Sequence, residues 1–121
     1  MRVLTHMQTT PPVKLLLHGT PNHQSKCLGL YRLVQGKMVN GKPVWRHTSD
    51  RDKHLAFVGN GWLCQPEASL GRKKGWLYLL DACGSPDRSL VAWKESNGRG
   101  GWHDAQVGAA DAPVTSAFDR A

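Results

Sequence analysis

At 121 residues, 40% hydrophobic and 21% charged, the chain holds enough apolar material for one core; its size argues against two independent domains and its composition against wholesale disorder. The formal charge is +7, with Glu67 and Glu95 the only glutamates, a surplus that draws anionic partners but serves solubility equally. No stretch approaches the roughly 18 to 20 apolar residues of a membrane span, so no membrane partner is expected.

Residues 1–27 read as a flexible leader of prolines, histidines and polar residues, with room for one short strand at Val13-Lys14-Leu15-Leu16-Leu17. Pro11-Pro12 and Lys14 break any continuous apolar run, so no secretion signal is read there. Cys27, Cys64 and Cys83 cannot all pair within one chain and follow no CxxC spacing, which fits a reducing compartment and a cytoplasmic, intracellular protein.

A β domain is expected over residues 28–107. Leu28 to Val34 alternates, with Tyr31 and Leu33 sharing the face assigned to the core. Asn40-Gly41 turns the chain toward a strand at Val44 to His47, with Pro43 at its opening, where a missing N–H is tolerated. A polar loop over residues 48–53 leads to His54-Leu55-Ala56-Phe57-Val58, and Gly59-Asn60-Gly61 turns into Trp62-Leu63-Cys64, the clearest hairpin signal in the chain. Loop residues 65–74 precede a strand over Gly75 to Leu80; Leu90-Val91-Ala92-Trp93 reads as another, and Asn97-Gly98 leads to a last short strand around Trp102. Residues 108–121 lack a periodic apolar face and read as a flexible tail. The expected fold is all-β, a small antiparallel meander closing into a single barrel or sandwich of about six to eight short strands.

The run Gly29-Leu30-Tyr31, then Asn40-Gly41-Lys42-Pro43-Val44-Trp45, Gly61-Trp62, Gly75-Trp76, Trp93 and Gly101-Trp102 resembles an uncharacterised small β module of large multidomain proteins of unicellular eukaryotes. The resemblance covers about residues 28–107. It implies a domain used as a building block, and it brings no catalytic residue with it.

Five tryptophans in a chain this short either fill a core or form a platform on which sugars, proline-rich peptides or unstacked bases stack. Trp62, Trp76 and Trp93 are expected in the core; Trp45 and Trp102, beside polar segments, are the candidates for exposure. Arg72-Lys73-Lys74, next to Gly75-Trp76, is the one basic run beside an aromatic residue. Arg99-Gly100-Gly101 is a single copy of an RNA-binding type of element.

His47, His54 and Cys64 have no metal-ligand spacing, and no catalytic motif is present, so no metal, cofactor or enzymatic activity is expected. The expected function is therefore binding or scaffolding by a monomer, with a protein or peptide partner first, carbohydrate or nucleic acid as alternatives, and Trp45, Trp102, Arg72, Lys73 and Lys74 as the ligand-binding candidates.

Overall fold

The chain forms one antiparallel sheet in a computed structural model that describes residues 10–112. Among these residues nine strands follow one another: β1 Lys14–Gly19, β2 Gly29–Val39, β3 Lys42–His47, β4 Lys53–Phe57, β5 Trp62–Pro66, β6 Leu77–Leu79, β7 Trp93–Ser96, β8 Trp102–Ala105 and β9 Val107–Asp111. The all-β class agrees with the sequence; the strand number exceeds the expected six to eight. The order β8-β7-β6-β5-β4-β3-β2-β1-β9 is a meander whose last strand returns beside the first.

That order closes the sheet. β8 and β9 sit at its two edges, yet only Gln106 separates them in the chain. One long strand thus bends at Gln106, its first half pairing with β7 and its second with β1, and the sheet curls into a nearly closed barrel. The Gln106 carbonyl accepts from the Thr20 amide at 2.8 Å across the seam. Gly19 is held there at φ +134°, where a Cβ would collide with the Gln106 carbonyl oxygen, so the closure depends on glycine.

Alternation sets the inner face. Leu33, Trp45, Leu55, Cys64, Leu77, Glu95 and His103 are successive cross-strand partners from β2 to β8, with Leu15, Tyr31 and His47 in one neighbouring row and Phe57, Trp62 and Leu79 in another. Tyr31 is fully buried and Leu33 half-buried against the core, as their shared face predicts. Trp62 packs between Phe57 and Trp45, with ring centroids at 5.3 and 5.7 Å, and Trp93 completes the filling.

Only one Asn-Gly dipeptide forms the two-residue turn the sequence suggests. Asn40 and Gly41 both take positive φ between Val39 and Lys42, whose residues pair directly. In the next hairpin the positive φ lies at Gly59, the first central position, and Val58 bonds Gly61, so the turn is centred one residue earlier than Asn60-Gly61. Asn97 instead folds a longer loop, its side-chain oxygen accepting from the Arg99 and Gly101 amides.

The domain boundaries also shift. β1, inside the expected leader, carries Leu15 and Leu17, both buried, and pairs with β2 and β9; the sheet therefore begins at Lys14. β9 takes residues up to Asp111 out of the expected tail. Its Gly108, Ala109 and Ala110 are too small to show alternation, and the β1 backbone defines the strand instead. The rest of the expected leader and tail, residues 1–9 and 113–121, lies outside the described residues. The strand expected at Leu90 to Trp93 starts only at Trp93, with Leu90 and Val91 exposed.

Candidate functional site

The barrel interior holds polar groups, and their partners fix what they can do. Tyr31 Oη donates to the Cys27 carbonyl at 2.6 Å and lies 3.2 Å from Cys64 Sγ. Burial pushes the Tyr31 phenol far above its ordinary value, with Cys64 adding to the effect; burial also pushes the Cys64 thiol well up, reinforced by Cys27. Both groups stay protonated at neutral pH, so Cys64 offers no thiolate nucleophile. Lys53 Nζ lies 2.7 Å from Asp50 Oδ2 and 4.5 Å above the centre of the Trp76 ring. Burial depresses the Lys53 ammonium, and the Asp50 carboxylate more than offsets it.

Glu95 plugs one end of the barrel. Its fully buried carboxylate accepts from the amides of Asn22 at 2.8 Å, His23 at 2.6 Å and Gln24 at 3.0 Å. Burial raises this carboxyl, the three amides outweigh burial, and it sits below the usual carboxylate value. These inward groups hold loops in place, and the surfaces open to a ligand lie outside the barrel.

Trp45, a candidate for exposure and for ligand binding, is fully buried, and its indole N–H donates to the Pro12 carbonyl at 2.8 Å. Position 45 shares the inward face of Leu55, and residues before β1 cap it, which the polar neighbours in sequence do not reveal. Trp76, assigned to the core, is half-buried, packing against it beneath Lys53. Trp102 is the exposed tryptophan, at 42%.

On the outer face Leu63 is paired with Tyr78, and Tyr78 with Lys94, across β5, β6 and β7. Tyr78 meets Trp102 nearly edge-on with ring centroids 6.1 Å apart, and its hydroxyl donates to Asn60 Oδ1 at 3.0 Å, which fixes the ring. Leu63, Tyr78, Trp102, Lys73 and Lys94 line a shallow depression of about 270 Å³. Lys94 is paired with Asp104 at 2.8 Å, whose carboxyl it lowers through that hydrogen bond; Lys73 has no ion-pair partner among the described residues.

Gln65 positions the basic loop. Its buried amide donates to the carbonyls of Arg72 and Lys74, each at 2.8 Å, and accepts from the Gly71 amide at 2.9 Å. The backbone is thereby fixed while the side chains of Arg72, Lys73 and Lys74 remain exposed. Of the five sequence candidates, the structure brings Trp102 and Lys73 into one depression, leaves Arg72 and Lys74 flanking Lys73 on the anchored loop, and removes Trp45 to the core. The sequence did not single out Tyr78, Leu63 or Lys94, whose alternate positions on paired strands were the available signal.

Among the described residues no group of three or more His, Cys, Asp or Glu side chains is placed to hold a metal ion, and no helix is long and apolar enough to cross a membrane. The chain matches no family model, no curated protein and no solved structure.

Proposed function

We propose that this domain is a non-catalytic binding module that docks an extended segment of a partner protein on the depression formed by Trp102 and Tyr78 above the buried Leu63. The observation that carries this reading is an exposed indole held against a hydrogen-bonded tyrosine on paired strands, beside Lys73 of an anchored loop, which has no ion-pair partner among the described residues. An apolar residue or proline of the partner seats on the rings, and acidic residues beside it meet Lys73 and its neighbours. Sugar hydroxyls need acceptors as well as a ring face, and a depression lined by Leu63, Lys73, Tyr78, Lys94 and Trp102 presents few. Such a module suits a building block of a larger protein, the use implied by the resemblance of residues 28–107.

Single-stranded nucleic acid is the second reading, because Lys73 beside Trp102 combines a phosphate contact with a stacking face. A random peptide library selected on the wild-type domain tests the first reading. Acidic sequences with a central apolar residue or proline, lost on Trp102→Ala, support it. Enrichment that ignores Trp102 overturns it, and no enrichment beside salt-dependent binding of oligothymidylate replaces it with the second.

A further inference from the structure

A second surface, built on different strands, has a different chemistry. Arg32 on β2 and Arg46 on β3 are direct cross-strand partners, and both point outward, since Tyr31, Leu33, Trp45 and His47 occupy the inward positions. Side chains opposed in this way start about 5 Å apart, and like charges there repel. Neither guanidinium has an ion-pair partner among the described residues. Arg51, in the loop between β3 and β4, lines the same groove, whose volume is about 420 Å³.

The acids nearest in sequence make no ion pair with these arginines. Asp50 binds Lys53, and Asp52 accepts from the Glu67 amide at 3.2 Å. His47 sets the departure of the loop: its Nδ1 accepts from the amides of Ser49 and Asp50 at 2.9 and 3.0 Å, while Nε2 faces the Leu28 carbonyl at 2.9 Å. Both ring nitrogens are therefore used, as are those two amides. His54, opposite Arg46 on β4, is buried and held below its usual value chiefly by that burial, so it adds no charge at neutral pH. Three arginines thus line the groove, none of them in an ion pair among the described residues.

We infer that this groove is a binding site for a tetrahedral oxyanion of the phosphate type, held by Arg32, Arg46 and Arg51. Guanidinium forks match phosphoryl oxygens in pairs, and a dianion relieves the Arg32–Arg46 repulsion where a single carboxylate relieves it only in part. The anion is either free phosphate or the phosphoryl group of a monoester.

The test is a titration of the domain with inorganic phosphate, and in parallel with O-phosphoserine and acetate, at constant ionic strength, read on the arginine Nε–H resonances. Saturable shifts at Arg32, Arg46 and Arg51 with phosphate, and weaker ones with acetate, are expected. Equal response to O-phosphoserine assigns the site to monoesters, and response to phosphate alone assigns it to the free anion. Arg46→Gln weakens binding about ten-fold, the loss that accompanies one charge-assisted contact pair, and raises the melting temperature in low-salt buffer without phosphate. Arg46→Lys, which keeps the charge but not the fork, also weakens binding. Shifts that are non-saturable or spread over all arginines, or Arg46→Gln and Arg46→Lys variants that bind as wild type does, overturn the inference.

Discussion

Glu95 Oε1 accepts from the His23 amide at 2.6 Å, joining β7 to the loop between β1 and β2 across 72 positions of sequence. Because Glu95 is fully buried and the amides of Asn22 and Gln24 converge on the same carboxylate, this one side chain closes an end of the barrel. Glu95→Ala is expected to cost about 3 kcal/mol, the range for unpairing buried groups bonded to a charge, as measured by urea unfolding.

Acid weakens the fold in two steps. His54 has a folded-state value below the ordinary histidine value, so the unfolded chain takes up its proton first, and stability begins to fall as pH drops below about 6.5. Glu95 is also depressed; its contribution is complete above the ordinary glutamate value of about 4.3 and is lost as pH falls through the lower folded value. Unfolding free energies measured from pH 8 to pH 3 therefore decline in two stages. Replacing His54 with Gln removes the upper stage, and Glu95→Gln shrinks the lower, leaving the part that the depressed Asp50 and Asp104 carboxyls contribute.

Trp45→Ala is expected to destabilise by about 3 to 5 kcal/mol, because a fully buried indole packed against Trp62 leaves a cavity and an unpaired Pro12 carbonyl. Acrylamide quenching separates the same residues in solution. The Trp102→Phe variant loses the readily quenched component of the emission, whereas Trp62→Phe leaves that component in place.

Gln65→Ala frees the basic loop without removing a charge. The Gly71 amide loses its acceptor, and the Arg72 and Lys74 carbonyls lose their donor. Hydrogen exchange at Gly71 is expected to accelerate at least ten-fold, what loss of a bond worth about 1.4 kcal/mol gives, and binding at Trp102 weakens as Lys73 loses its fixed position.

The β class and the hairpins were legible in the sequence, because Asn40-Gly41 and Gly59-Asn60-Gly61 act through local backbone geometry. Tyr31 and Leu33 were legible through alternation. β9 was not, since Gly108, Ala109 and Ala110 depend on pairing with β1 from the far end of the chain. The burial of Trp45 was not legible for the same reason, its cap being Pro12, 33 positions away. Two of the five residues lining the candidate site, Trp102 and Lys73, were visible as an aromatic residue and part of a basic run. Their meeting with Tyr78 required the register of β6, β7 and β8.

The proposed docking surface consists of Trp102, Tyr78 and Lys73. It is tested most directly by amide and indole chemical-shift mapping with the peptide selected on the wild-type domain. The Trp102 indole N–H and the amides of Leu63, Lys73, Tyr78 and Lys94 are expected to shift together and saturate. Shifts confined to the Arg32 and Arg46 strands, or an unmoved Trp102 under saturating peptide, would contradict it.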